Sequence, residues 1–346
     1  MHLLTAAAAA AATAAGPSST PIRSGVPWFD TNGDRMYAGG GNLVEEDGAF
    51  FLVGEGEKTL GADAGGAASQ PQLSAQFNLY RSTDLQSWTP LASPLTNRQI
   101  VAPSGFDYPH RMERPKLFRC PGAAREPWRL VFHCDSADFK LNAIGVLTAA
   151  AVTGPYTFAK PCFQPDGEPS FDMGTFVDAR ARGGDGRAYL VRSVRNEFAG
   201  ISAFDAQCLN TSGLVSRGPR MEGVSLLRDD RSTLHLAGSH LTGWSPNPAR
   251  FLTTASRALS GAAWSGELNP SGSRTTFDSQ SSFVFPFVHQ DGHTTLVWMA
   301  DRWNADAPGG LDNMTLVWLP LLPPPDDGGA GQWSLRWRDQ WSLDEF

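Results

Sequence analysis

Three carboxylic acids and one amide occupy the same position in four separate segments of this 346-residue chain, each just ahead of a short apolar run: Glu113, Asp172, Glu222 and Gln280. Taken singly, each carboxylate would be a solvated loop residue. Carboxyl groups crowded together away from water push one another's pKa values apart, so that one stays protonated at neutral pH. Glycoside hydrolysis needs such a set, namely an acid at the leaving oxygen and an activator of water on the opposite face.

The apolar runs belong to five similar units of short strands and turns. The units cover residues 41–88, 114–158, 175–204, 221–264 and 282–337. Such a repeat is typical of a β-propeller, so we predict an all-β fold with five blades. A β-sandwich is the alternative, but it would not repeat one unit five times. The first strand of each propeller blade lines the central channel, so the four polar side chains would meet at one mouth.

The composition agrees with a turn-rich β-protein. The chain contains 36 Gly and 25 Pro, which favour an all-β architecture. Its net charge of −7 argues against nucleic-acid binding through a basic surface. Its 11 Trp would suit sugar faces, although most Trp residues in a folded chain belong to the core.

The N-terminal residues 1–15, MHLLTAAAAAAATAA, resemble a signal peptide that lacks a basic start. We therefore expect a leader at 1–20, a propeller domain at 21–346 and a secreted protein. The leader is too short and too poor in Leu and Ile to span a membrane, and no later stretch is apolar enough. Two sequons, at 210–212 and 313–315, are compatible with glycosylation.

The cysteines and histidines indicate no metal site. Three disulfide pairings are open to the four cysteines, Cys120, Cys134, Cys162 and Cys208. None of them forms a C-x-x-C pair, which argues against a zinc knuckle. His133 and His235 are expected to cap or fill hairpin ends, because their spacing supports no metal site. We predict neither a metal nor a cofactor.

Six strings along the chain resemble the exo-β-1,3-galactanase branch of glycoside hydrolase family 43. They are ERPK at 113–116, FHCDS at 132–136, GPY at 154–156, SHLTGWSPNP at 239–248, DSQ at 278–280 and DRW at 301–303. The likeness covers nearly everything from Trp28 to Trp341, and the string at 239–248 is the most specific. The resemblance implies a five-bladed β-propeller that releases galactose from the non-reducing end of β-1,3-galactan, the arabinogalactan backbone, with inversion. We expect a monomer whose partner is this polysaccharide.

The same resemblance implies roles for the four polar residues. Glu222 would be the general acid, and Asp172 would orient it and tune its pKa. Gln280 would position or activate water, as an imidic-acid base proposed in this branch, and Glu113 would assist there and bind the sugar. An amide is a poor base in its ordinary tautomer, so the residues alone favour Glu113 as base. Both alternatives stay open.

The substrate is expected to contact a further set of side chains, namely Glu55, Asn196, His240, Thr242, Trp244, Asn247, Arg302 and Trp303. His240 could instead hold the loop that carries Trp244, and either Trp244 or Trp303 could belong to the core.

The chain departs from the branch at several positions. The branch usually has a histidine at Gly39, a glycine at Asn42, a hydroxylated aromatic at Phe139 and more polar residues at Val194 and Arg195. In one respect the chain agrees with the branch, which lacks the aspartate base that is usual in blade 1, since residues 37–41 contain no carboxylate. These departures affect substrate preference more than reaction type. An α-L-arabinofuranosidase, a β-xylosidase or a non-catalytic galactan-binding propeller are the alternatives.

Overall fold

The computed structural model describes residues 21–59, 73–325 and 332–346. The predicted leader and the glycine-rich insertion at 61–69 lie outside this range. The described strands form five four-stranded antiparallel sheets and one two-stranded ribbon. The prediction of a five-bladed, all-β propeller is therefore confirmed.

The strands follow one another blade by blade. The ribbon pairs β1 (Ile22–Arg23) with β22 (Gln340–Trp341). Blade 1 contains β2 (Gly39–Glu46), β3 (Ala49–Glu55), β4 (Phe77–Ser82) and β5 (Thr89–Pro90). Blade 2 contains β6 (His110–Arg119), β7 (Trp128–Ser136), β8 (Ala143–Ala149) and β9 (Thr157–Phe163). Blade 3 contains β10 (Ser170–Val177), β11 (Ala188–Val194), β12 (Phe198–Phe204) and β13 (Thr211–Arg217).

The last two blades have the same order. Blade 4 contains β14 (Glu222–Arg228), β15 (Leu234–Ser239), β16 (Ala249–Thr254) and β17 (Ser265–Leu268). Blade 5 contains β18 (Gln280–Val288), β19 (Thr294–Arg302), β20 (Thr315–Leu322) and β21 (Ser334–Leu335). Short 3₁₀ turns lie at Asn97–Gln99, Pro165–Gly167, Arg180–Arg182, Gly310–Asn313 and Leu343–Glu345. No helix in the described segments is long and apolar enough to cross a membrane.

The five innermost strands, β2, β6, β10, β14 and β18, form a ring. Each contacts the next, and β18 contacts β2. The hydrophobic core consists of apolar layers between neighbouring blades rather than one central cluster. Trp88 and Trp318 belong to the layer between blades 5 and 1, where their rings meet edge to face at 6.2 Å. Each fully buried large apolar side chain contributes roughly 1.5–3 kcal/mol by leaving water.

The ribbon ties the two ends of the domain to blade 5. Ser24 Oγ donates to the carbonyl of Trp318 at 2.6 Å, and the amide of Gly25 donates to that of Leu316 at 2.7 Å. Trp341 also donates its indole N–H to the Trp318 carbonyl. The blades are thereby joined into a closed ring, which fixes how their innermost strands face one another.

Two disulfides select one of the three possible pairings. Cys120–Cys208 joins blades 2 and 3, whereas Cys134–Cys162 lies within blade 2. The second bond links β7 to the outer strand β9 across β8.

Candidate active site

A cleft of about 540 Å³ lies at one mouth of the propeller. Blades 2 to 5 supply its lining, which comprises Glu113, Arg114, His133, Phe139, Phe171, Asp172, Asn196, Arg220, Glu222, Leu241, Thr242, Gly243, Trp244 and Gln280. All four residues singled out by their shared sequence position thus line one cleft. Its size is that of an ordinary small-molecule site.

Irregular strand register aims these residues into the cleft. The pairing of each innermost strand shifts near its start, for example between Glu113 and Lys116 and between Glu222 and Ser225. Such β-bulges bend a strand and redirect a side chain, and they are frequent beside active sites. Gly223 makes the bulge in β14 with φ +58°, and a Cβ there would come within 2.6 Å of the Ser281 carbonyl oxygen. Only glycine fits that position.

Two of the predicted positions are shifted relative to their strands. Glu113 and Asp172 lie inside β6 and β10, not ahead of them. The strands begin earlier because their first residues pair with the next strand before the bulge. Glu222 and Gln280 do begin β14 and β18.

Glu222 has the environment of a carboxylic acid that keeps its proton. Its Oε1 accepts hydrogen bonds from Gln280 Nε2 at 3.0 Å and from the Thr242 amide at 3.3 Å. Burial and the negative charge of Asp172 together raise the pKa of Glu222 to about 7. A large fraction of this group is therefore protonated at neutral pH.

The side-chain amide of Gln280 has one allowed orientation. Its oxygen accepts from Arg114 Nη2 at 2.5 Å and from Trp303 Nε1 at 2.9 Å. Guanidinium and indole groups can only donate, so the atom that faces them must be the oxygen. The amide nitrogen consequently faces Glu222 and Ser239 Oγ, the latter at 3.1 Å.

Arg114 lies under the cleft and connects its walls. Its Nη2 is 2.7 Å from Asp172 Oδ2, and its Nη1 is 3.7 Å from Asp301 Oδ2. Its backbone amide donates to Glu55 Oε1 at 3.0 Å. Asp172 also accepts from the Gly223 amide at 3.1 Å, so the bulge beside Glu222 is held by the same network. Charge-assisted contacts of this kind fix geometry.

Glu113 has the opposite electrostatic environment from Glu222. Its Oε1 lies 3.2 Å from Arg111 Nη1, and its Oε2 lies 3.4 Å from His133 Nδ1. Burial would raise the pKa of Glu113, but the contact with His133 and the charges of Lys58 and Arg111 outweigh it and hold that pKa well below its usual range. The cleft therefore contains a carboxylic acid and a carboxylate at the same pH.

Three of the eight predicted substrate-contact residues line the cleft, namely Asn196, Thr242 and Trp244. Trp244 is 41% exposed, which leaves its ring free to stack on a ligand. Thr242 donates its amide to Glu222 while its hydroxyl binds the carbonyl of Ser245.

The other five lie behind or beside the cleft. Trp303 is 5% exposed behind Gln280, and Glu55 is buried between Arg114 and Lys58. Asn247 links both ends of the loop at 240–247: it accepts from the amide of His240 at 3.0 Å and donates to that residue's carbonyl at 2.9 Å. Arg302 donates to the carbonyl of Phe277. The contacts predicted between these side chains and a sugar stay predictions.

His133 was assigned a structural role from the sequence but lines the cleft. It lies on β7 opposite Glu113 on β6, and Phe139 stacks over it at 6.4 Å. His133 and Asp135 alternate with Cys134 along the strand, and this spacing did not distinguish a cleft-facing strand end from a hairpin end. No cluster of three or more His, Cys, Asp or Glu that could hold a metal occurs in the described part of the chain.

Comparison with known structures gives extensive matches. An exo-β-1,3-galactanase from Phanerochaete chrysosporium with galactose is 28% identical, with a TM-score of 0.76, and the match covers 94% of this chain and 68% of that one. A variant of that enzyme with β-1,3-galactotriose is 27% identical, also with a TM-score of 0.76, over 93% and 68% of the two chains.

A β-1,3-galactosidase of glycoside hydrolase family 43 with galactodeoxynojirimycin is 25% identical, with a TM-score of 0.74, over 93% of this chain and 100% of that one. No protein-family model and no curated protein matches the sequence. The chain is thus similar over nearly its whole described length to the exo-β-1,3-galactanases and β-1,3-galactosidases of glycoside hydrolase family 43, as its sequence motifs indicated.

Proposed function

We propose that this protein is an inverting, exo-acting glycoside hydrolase that releases galactose from β-1,3-galactan. The observation that carries the proposal is the pairing of a protonated Glu222 with an ionised Glu113 in one cleft. Structures similar to this chain contain galactose and β-1,3-galactotriose, which supports the choice of sugar.

Glu222 is the general acid of this mechanism. As the glycosidic bond breaks, it transfers its proton to the leaving oxygen, which then departs as a neutral hydroxyl. The resulting carboxylate keeps the hydrogen bonds from Gln280 Nε2 and the Thr242 amide. Both donors stabilise the negative charge that develops on Glu222 in the transition state.

Water must attack from the other face of the sugar. Gln280 presents its NH₂ group, because its oxygen is occupied by Arg114 and Trp303. An imidic-acid form of Gln280 would carry a hydroxyl hydrogen on the oxygen that faces Arg114 and Trp303. Both of these groups can only donate hydrogen bonds. This arrangement favours Glu113 as the group that takes the proton from water, with Gln280 holding the acid in place.

The anomer that is released first tests both the reaction and its stereochemistry. We expect proton NMR of a fresh digest of β-1,3-galactan to show α-galactose first, which then mutarotates to the equilibrium mixture, because a single displacement inverts the β-linkage. Initial β-galactose would contradict inversion, and binding of galactan without any product would favour the non-catalytic alternative. Parallel assays with aryl α-L-arabinofuranoside and aryl β-xyloside test the other substrates.

Trp244 provides a second test of the cleft. Truncation by Trp244→Ala should raise KM for β-1,3-galactobiose about two- to tenfold with little change in kcat, because ring stacking is worth about 0.5–1.5 kcal/mol. Trp337→Ala is the matched control, since Trp337 is similarly exposed at 36% but does not line the cleft. If both variants shift KM equally, the cleft does not bind the sugar through Trp244.

The N-terminal sequence supports export, with arabinogalactan-type polysaccharide outside the cell as the natural substrate. Mass spectrometry of the protein purified from culture medium tests this, since processing would remove the first residues. A monomer is proposed as the active unit and is tested by light scattering.

A further inference from the structure

Behind Glu113 lies a chain of three titratable groups. Glu113 on β6 is directly opposite His133 on β7. His133 Nδ1 is 3.4 Å from Glu113 Oε2, and its Nε2 is 3.2 Å from Asp135 Oδ2. Successive residues of a strand alternate in direction, so His133 and Asp135 lie on one side and Cys134 on the other. The imidazole is thus placed between two carboxylates.

Asp135 is fixed in this position by the backbone. Its Oδ1 accepts three amide hydrogens, from Ser136 at 2.8 Å, Leu141 at 2.8 Å and Asn142 at 2.9 Å. The side chain is fully buried. One oxygen therefore anchors the loop after β7, and the other is left for His133. Neighbouring Cys134 is bonded to Cys162, which further restrains this end of the strand.

The loop that Asp135 anchors also covers His133. It carries Phe139, whose ring stacks on the imidazole at 6.4 Å, while Phe171 of blade 3 packs at 5.9 Å. The side chain of His133 is 1% exposed, so water does little to stabilise a charge on its imidazole. Buried beside two carboxylates, it is stabilised in its protonated form.

We propose that His133, held on its far side by Asp135, is a positioning residue that keeps Glu113 ionised and directed into the cleft. The inference rests on the proposed function, because it assigns Glu113 a task that requires a carboxylate. The reaction moves no proton through His133. Instead, the imidazolium stays charged and lowers the affinity of Glu113 for a proton.

The surrounding charges agree with this assignment. Arg111 on β6 and Lys58 after β3 are the other cations that act on Glu113. Burial lowers the pKa of His133, but its contacts with Asp135 and Glu113 outweigh this and raise the pKa to about 9. The positive charge therefore persists over the pH range in which Glu222 loses its proton.

Asp135→Asn is the informative variant, because it keeps the shape of the side chain and reverses one hydrogen bond. The asparagine oxygen can still accept the three amides, while its NH₂ must donate to His133 Nε2. His133 then becomes the neutral Nδ1–H tautomer. Glu113 keeps a hydrogen-bond donor but loses a neighbouring charge, so its pKa should rise.

Because the pKa of Glu113 should rise in Asp135→Asn, this carboxylate should become protonated at a higher pH than in the wild type. A depressed Glu113 pKa means that activity is lost only when pH falls through that low value. In Asp135→Asn we expect the acid limb of kcat/KM to move up by about two pH units, as removal of an adjacent charge does. The alkaline limb, set by Glu222, should stay where it is. His133→Asn removes the same charge while keeping an amide donor and should move the same limb.

A matched control exists in blade 4. His235 Nε2 lies 3.0 Å from Asp229 Oδ2, so Asp229→Asn also alters a buried His–Asp pair, but outside the cleft lining. It should leave both limbs unchanged. If Asp135→Asn lowers kcat equally at every pH without moving the acid limb, the pair is merely structural and the inference is overturned.

A second readout does not depend on catalysis. Nitrogen-15 NMR of histidine-labelled protein, with His133 identified by the signal lost in His133→Asn, should show His133 protonated up to about pH 9 in the wild type. In Asp135→Asn it should titrate at least two units lower. Wild-type titration near the ordinary histidine pKa would refute the inference. Absence of galactan hydrolysis with the expected NMR result would refute only the proposed function.

Discussion

Glu222→Gln should lower kcat on β-1,3-galactan by about 10²–10⁴-fold, the usual contribution of a general acid. Glutamine matches the shape of glutamate and can still accept from the Thr242 amide, but it has no proton to give. KM should change little, because the lost interaction acts in the transition state. Galactose release measured at pH 5–7 checks the prediction. Glu267→Gln is the control, since Glu267 is a blade 4 glutamate outside the cleft lining that pairs with Arg250.

Substrates with different leaving groups give a more specific test of Glu222 as the general acid. Aryl β-galactosides with acidic phenols need little help from a proton donor, because the phenolate leaves unaided. The ratio of wild-type to Glu222→Gln activity should therefore shrink as the phenol becomes more acidic. A variant that keeps nearly full activity on galactan, or a ratio that does not depend on the phenol, would remove Glu222 from the role of acid.

The pH profile of the wild-type enzyme should report the titration of Glu222. The raised pKa of Glu222, about 7, means that the acid is protonated below that pH and lost above it. We therefore expect kcat/KM to fall as pH rises through about 7, and Glu222→Gln to lack this alkaline limb. Stability follows the same sign, because a raised pKa in the folded state favours folding at low pH and less so as pH increases.

The repeat of hydrophobic runs was sufficient to predict the architecture. Short strands and turn residues recur five times, and each blade buries its faces against the next, so local pattern and global fold agree. The shared position of Glu113, Asp172, Glu222 and Gln280 in that repeat also predicted their convergence. Equivalent residues of equivalent strands meet at one mouth of a propeller, whatever lies between them.

What the sequence did not predict depends on contacts between blades. The bulge at Gly223 is visible in the sequence only as a glycine after a glutamate, and its necessity comes from the Ser281 carbonyl of another blade. The sequence left Trp303 open between sugar stacking and the core, and it did not reveal the hydrogen bond that its indole N–H donates to Gln280. The pairing of His133 with Glu113 arises from strand register, which composition does not encode.

Arg114 is the second residue whose substitution should have a large effect, here on stability. It is 4% exposed and adopts φ +52°, a left-handed conformation that is unfavourable for a residue with a Cβ. Its guanidinium contacts Asp172 in blade 3 and Gln280 and Asp301 in blade 5. Burial opposes the charge of Arg114, but the surrounding carboxylates outweigh that effect and raise its pKa.

Arg114→Leu should lower the free energy of unfolding by about 3–5 kcal/mol, because removing one partner leaves buried carboxylates without compensation. Arg119→Leu is a control on the same strand: Arg119 is largely exposed, it pairs with Glu46 at 3.1 Å, and its loss should cost at most about 1 kcal/mol. Urea unfolding of both variants measures the difference. Equal destabilisation would mean that the ion pairs under the cleft contribute no more than a surface pair.

The same substitution should change catalysis in the protein that remains folded. Without Arg114, the oxygen of Gln280 keeps only the Trp303 donor, so its amide is less well fixed against Glu222. Arg114 also lowers the pKa of Glu222, so its removal should raise that pKa and move the alkaline limb to higher pH. A loss of stability alone would reduce kcat without moving the limb. Arg114 thus couples the stability of the ring to the protonation of the acid, because one buried cation acts on carboxyl groups from blades 1, 3, 4 and 5.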